Sequence, residues 1–144
     1  MISLLIAFQN ELTEEWIKEI YTILKRGTSE ARKSWVQVGN YKSIPNEVGG
    51  EQTSLPENVA TDMARLIKQY HNFPMISIED ILDFHVQFER IHPFQDGNGR
   101  VGHLIMFKEC LKHNHVSFII SDDMKYFYYR CLSKWRDQKK WFLA

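Results

Sequence analysis

Four stretches of this chain repeat apolar residues every three or four positions, and one stretch alternates. In the first, Thr13 is a good N-cap and Leu12 and Ile17 flank it as a hydrophobic staple. Trp16, Ile20, Tyr21, Ile23 and Leu24 then follow with helical spacing as far as Gly27. In the second, Pro56 fits the first turn of a helix whose Val59, Met63, Leu66, Ile67 and Tyr70 make one face, ending at Phe73-Pro74. Ser77 with Asp80 opens the third, which runs through Ile81, Leu82, His85, Phe88 and Ile91 and stops at His92-Pro93. The fourth starts near Gly97–Gly99 and carries Val101, Leu104, Ile105, Cys110 and Leu111. After a turn at His113-Asn114-His115, Val116–Ile120 reads as a short β-like connector, and Ser121 caps an aromatic-rich helix to about Trp135.

The alternating stretch lies between the first and second helices, as Trp35-Val36-Gln37-Val38-Gly39-Asn40-Tyr41-Lys42 followed by Pro45-Asn46-Glu47-Val48-Gly49-Gly50. Alternation with Gly and Pro punctuation predicts a small β-hairpin, and a structureless run of ~20 residues is uncommon inside a compact domain. The expected architecture is therefore all-α, a helical bundle with one small hairpin.

Composition narrows this picture without redirecting it. A chain of 144 residues with 44% hydrophobic residues fits one domain with a proper core, and no repeat or linker divides residues 1–144. Lys plus Arg (18) balance Asp plus Glu (18), so neither a nucleic-acid nor a membrane partner is expected from charge, and any bound anion must be held locally. Two cysteines, Cys110 and Cys131, make no disulfide framework, which points to the reducing cytoplasm. Met1–Phe8 is apolar but lacks a basic flank and a cleavage site, and reads as the end of a helix rather than a leader.

The chemistry concentrates in His92-Pro93-Phe94-Gln95-Asp96-Gly97-Asn98-Gly99-Arg100, which joins the third helix to the fourth. Gly97 and Gly99 open a sharp turn ahead of a helix N-terminus, where unpaired N–H groups and the dipole favour an anion, phosphate above all. Asn98 can add a side-chain donor, and Arg100 a fork-shaped permanent charge. A carboxylate amid these donors would repel phosphate unless it held a metal, so Asp96 is a natural Mg²⁺ ligand. His92 is poised to accept a proton near neutrality, and a base beside a metal-bound phosphate implies a hydroxyl activated for attack on phosphorus. A lone histidine or a lone Gly-x-Gly is usually structural; the conjunction is what points to a site.

The same stretch resembles the Fic motif, His-Pro-Phe-x-(Asp/Glu)-Gly-Asn-Gly-Arg-x-x-Arg, at every defining position from His92 to Arg100. The resemblance extends through Val38–Lys42, Pro45–Gly50, Phe84–Ile91 and Leu104–Met106, and looks like that of a short, single-domain bacterial Fic protein. It implies a Fic fold and transfer of AMP from MgATP to a Ser, Thr or Tyr hydroxyl of a target protein. On these positions it implies His92 as base, Asp96 as Mg²⁺ ligand, and Gly97, Asn98, Gly99 and Arg100 as phosphate ligands, with Phe94 a buried anchor. Ser43, Ile44, Pro45, Asn46, Glu47 and Val48 resemble the family's flap, which pairs with an extended segment of the target.

Two departures qualify the resemblance. His103 stands where the motif ends in a second arginine; nearly one turn beyond Arg100, it is expected to face the same polyphosphate with a weaker grip. The expectation is a weakened transferase, the alternatives being a nucleotide-binding pseudoenzyme or a transferase with another phosphate donor. Ahead of the first helix, where the family carries its inhibitory helix, the signature Ser/Thr-x-x-x-Glu-(Gly/Asn) does not occur, and the chain begins where such a helix would end. An antitoxin or an inhibitory helix is thus an expected partner.

Overall fold

The computed structural model describes residues 10–26, 40–113 and 115. The apolar stretch Met1–Phe8, the Trp35–Gly39 part of the alternating run, the Val116–Ile120 connector and the helix expected from Ser121 lie outside the described residues.

Four helices and one hairpin make up the described fold: α1 (Glu14–Lys25), β1 (Glu47–Val48), β2 (Glu51–Gln52), α2 (Pro56–His71), α3 (Ile78–Ile91) and α4 (Asn98–Lys112). Their starts follow local chemistry. Thr13 Oγ1 accepts from the Trp16 backbone N–H at 3.1 Å, Pro56 occupies the first turn of α2, and Ser77 and Asp80 exchange hydrogen bonds as a full capping box. Their ends agree with the pattern as well: α1 is capped at Arg26, immediately before Gly27, and α2 at Asn72, immediately before Phe73-Pro74. Ile23 and Leu111, read as facing inward, are 44% and 49% exposed.

The hairpin needs a larger correction. Glu47 pairs with Gln52 and Val48 with Glu51 across a two-residue turn at Gly49-Gly50, both with positive φ. This turn twists as short hairpins require, so the strands flank the glycines; the 41–46 segment contributes no strand.

α3 is buried nearly all round, between α2 on one side and α4 on the other, and α1 closes against α4 and α2. Trp16, Ile17, Tyr21, Met63, Phe84, Phe88, Phe94 and Ile105 belong to the main core, and Ile81, Leu82, Val86, Met106 and Cys110 form a smaller cluster beyond α3. A polar knot ties three helices within this apolar frame. Lys108 Nζ donates to Glu109 Oε2 at 2.6 Å, both residues buried, and the Tyr70 hydroxyl donates to Glu109 Oε1 at 2.8 Å. Lys108 also lies over the Trp16 ring, 5.1 Å from its centroid. No helix among the described residues is long and apolar enough to cross a membrane.

Tyr70→Phe removes one arm of this knot. It is expected to lower unfolding free energy by about 1.5–3 kcal/mol, the range for a hydrogen bond to a charged group. Urea denaturation reads the change, and a loss below ~0.5 kcal/mol would mean that Glu109 is satisfied without the hydroxyl.

Candidate active site

The loop from His92 to Gly97 turns the chain from α3 into α4. His92 caps α3 in the left-handed conformation (φ 52°, ψ 60°), and Pro93 bars the helix from continuing. α3 therefore ends with carbonyls that need partners, and one distant segment supplies them. Lys42 Nζ donates to Ile91 O at 3.2 Å and the Lys42 backbone N–H to Pro93 O at 2.8 Å. Asn46 Nδ2 reaches His92 O at 3.5 Å and Phe94 O at 2.9 Å. Four consecutive carbonyls at the corner are held by two residues of the hairpin segment. Lys42 is itself buried, its ammonium also donating to Asn46 Oδ1 (2.6 Å) and Thr53 Oγ1 (2.8 Å), and burial pushes its pKa down to about 8.

Phe94 is fully buried and stacks on Tyr21 at 4.0 Å with planes 10° apart. Asn98 closes the loop beneath it, Oδ1 accepting from Phe94 N–H and Nδ2 donating to Phe94 O, both at 2.8 Å. This corrects the sequence reading of Asn98. The residue is 1% exposed, and its amide oxygen and nitrogen are both bonded to the loop backbone rather than presented to an anion.

Gly97 precedes α4 at φ 85°, a conformation that favours glycine. A Cβ there would lie 3.0 Å from Lys25 Cε and 3.7 Å from Arg100 Nη2, so two cationic side chains flank the turn. Gly99, inside the first turn, has nothing within 4 Å of the corresponding position, which leaves open space over the helix end. The turn, the two flanking cations and this space fit a phosphate. Asp96 is 53% exposed at the side chain and takes a 2.7 Å bond from Lys25 Nζ, whose own side chain is 1% exposed. The Lys25 hydrogen bond above all holds the Asp96 carboxyl below its ordinary value, so it is ionised. Among the described residues no group of three or more His, Cys, Asp or Glu side chains could hold a metal. A single exposed carboxylate beside phosphate oxygens is nevertheless a usual Mg²⁺ arrangement, and Asp96 fits it.

His92 Nδ1 lies 3.2 Å from Glu89 O. A carbonyl only accepts, so Nδ1 carries the proton and Nε2 keeps its lone pair. Burial lowers the His92 pKa, with Lys42 adding to the effect, and the ring is neutral at pH 7. His103 departs from expectation. Its ring stacks on buried His85 (5.3 Å, 16°) and Nε2 is sealed from solvent, since a flat ring finds an apolar partner on α3 that a phosphate-facing pose would forgo.

Ser43, Ile44 and Pro45 are exposed, and the Gln95 carboxamide pairs with both backbone groups of Ile44 at 3.2 Å, the pattern a neighbouring strand makes. Lys25 and Lys42 were not singled out from the sequence. The signal existed for Lys25, which extends the stripe of Ile17 and Tyr21 by one more step of four.

The Fic/DOC family model matches residues 11–110. Among solved structures, a Fic-domain-containing signalling protein from Bacteroides thetaiotaomicron VPI-5482 is 28% identical with a TM-score of 0.76, over 92% of this chain and 53% of that one. A Fic family protein from Desulfovibrio desulfuricans G20 is 26% identical with a TM-score of 0.71, over 95% of this chain and 44% of that one. The chain thus spans about half the length of these structural relatives. No curated protein matches it.

Lys25→Met keeps the buried stem and removes the charge beside Asp96. The Asp96 carboxyl is expected to titrate nearer the ordinary value of about 4, read from its ¹³C resonance. Because the folded value is depressed, the pair's stabilisation is present above about pH 4 and lost as pH falls through the folded value; the variant should lack that acid-side loss. An Asp96 that stays depressed without Lys25 would assign the effect to Gly97 and Arg100.

Proposed function

Because the chain belongs to the Fic/DOC family, we propose that it is a protein adenylyltransferase, moving AMP from MgATP to a Ser, Thr or Tyr hydroxyl of a target protein and releasing pyrophosphate. One observation carries the reading. The carbonyl of Glu89 holds His92 in the tautomer whose Nε2 has a free lone pair, on the loop that leads into the helix N-terminus, where Lys25 and Arg100 flank Gly97 and Gly99 faces open space. His92 takes the proton of the target hydroxyl on Nε2 as that oxygen attacks the α-phosphorus. The backbone N–H groups of Gly97, Asn98 and Gly99 and the guanidinium of Arg100 receive the phosphates. Asp96 holds Mg²⁺, which when bound neutralises charge on the phosphate oxygens. Phe94 touches no substrate and fixes the loop from below. Ser43–Val48 align the target by adding its extended segment alongside.

The position of His103 favours a weak enzyme. A guanidinium grips a terminal phosphate with two parallel bonds; an imidazole stacked on His85 does not. The same observation is what would favour the second reading, nucleotide binding without turnover. A separate inhibitor of this site, whether a helix or an antitoxin, remains part of the proposal through the family.

The test is Mg²⁺ with α-labelled ATP, using the protein and a cell lysate as acceptors. Slow labelling is expected, with His92→Ala lower by at least about 100-fold, the usual contribution of a general base. His103→Arg is expected to raise labelling about tenfold, corresponding to one improved phosphate contact. Label that survives His92→Ala would sink the proposed base. Mg²⁺-dependent ATP binding by calorimetry without any transfer would favour the second reading.

A further inference from the structure

One turn before His92, α3 carries a carboxylate into the core. Glu89 is 3% exposed, and its Oε2 lies 3.9 Å from His92 Nδ1. Its Oε1 has no hydrogen-bond partner among the described residues. That oxygen sits in a notch on α4: a Cβ added to Gly102 would stand 2.5 Å from Oε1, and 3.3 Å from both His85 Cε1 and Phe88 Cδ1. Any other residue at 102 would push the carboxylate out. Burial without full pairing disfavours a carboxylate strongly, and an apolar side chain of similar size would fill this space at no such cost. Packing therefore does not account for the acid at 89.

We propose that Glu89 is a positioning residue for His92: its carbonyl holds Nδ1–H, and its carboxylate, seated by Gly102 at 3.9 Å from the same nitrogen, offsets the charge the ring acquires on taking the hydroxyl proton. The inference rests on His92 acting as the base. In the step, the hydroxyl O–H bond breaks and an Nε2–H bond forms, while the oxygen bonds to phosphorus and pyrophosphate leaves with the electron pair of the broken P–O bond. Nδ1 keeps its own proton, and the imidazolium now faces Glu89 across 3.9 Å. Burial pushes the Glu89 pKa up to about 7, so the group changes charge near neutrality.

The other groups facing this pair are His85 on α3, His103 stacked on it from α4, Lys42 from the hairpin segment, and Asp96 from the loop. His85 is driven to about 3 and stays neutral, Lys42 lowers His92 and Asp96 raises it. Glu89 is thus the ionisable carboxylate nearest to Nδ1 among the described residues.

The test follows His92 ¹³Cε1 and Glu89 ¹³Cδ resonances from about pH 4 to 9, a span covering both groups. Coupling predicts that both resonances in the wild-type chain report the same two steps. In Glu89→Gln the upper step of His92 vanishes and one step remains at lower pH. The acid limb of AMP transfer moves the same way and the plateau rate falls about tenfold with the KM for ATP unchanged, because a weaker base accepts the proton less readily. Glu89→Asp restores part of the upper step. A single-step His92 titration in the wild-type chain overturns the proposal, whether or not the variants fold. So does a His92 midpoint unmoved in a folded Glu89→Gln. Coupling in a chain that transfers no AMP supports the pair and overturns the transferase reading instead.

Discussion

Phe94 is the contact on which the site's geometry depends. The chain between α3 and α4 has no regular structure of its own, and loops of this kind follow solvent unless something ties them down. Here a fully buried ring lies flat on Tyr21 of α1, with Tyr41 tilted against its other side at 5.7 Å. Burial of such a ring is worth about 2–3 kcal/mol, and a well-placed aromatic neighbour about 1 more. Asn98 fastens both backbone groups of the same residue. One residue thus fixes the corner from the side chain and from the main chain, and His92, Asp96 and Gly97 inherit their positions from it.

Charge is distributed around that corner with equal economy. Lys25 comes up from α1 to Asp96, and Lys42 from the hairpin segment to the end of α3. The first keeps a carboxylate ionised at the rim; the second adds to the burial that keeps a histidine neutral beside it. Neither lysine is a solvent-facing charge, and both stems are packed in apolar surroundings. In a chain of zero net charge, both lysines are thus committed to the corner rather than to the surface.

The helices and their caps were legible because the determinants are local: Thr13, Pro56 and Ser77 each act within one turn of themselves. The loop chemistry was legible because His92–Arg100 is contiguous. What sequence reasoning missed is what depends on distant partners. Lys25 and Asp96 are separated by 71 positions, and Asn98 is drawn inward by the loop's own orphaned backbone. His103 is turned by a stacking partner on another helix, whereas its spacing from Arg100 indicated only a shared face. The hairpin was legible as an element from its Gly and Pro punctuation, and the Gly49-Gly50 turn is what sets its strands at Glu47–Val48 and Glu51–Gln52.

The segment from Lys42 to Asn46 divides its side chains by direction. Those at 42 and 46 grip the carbonyls of the corner, while Ser43, Ile44 and Pro45 between them stand in solvent. The three outward positions can therefore be rewritten without disturbing the two inward ones. A fold arranged in this way keeps freely variable surface and fixed internal anchors side by side, so the two can evolve at different speeds on five consecutive residues.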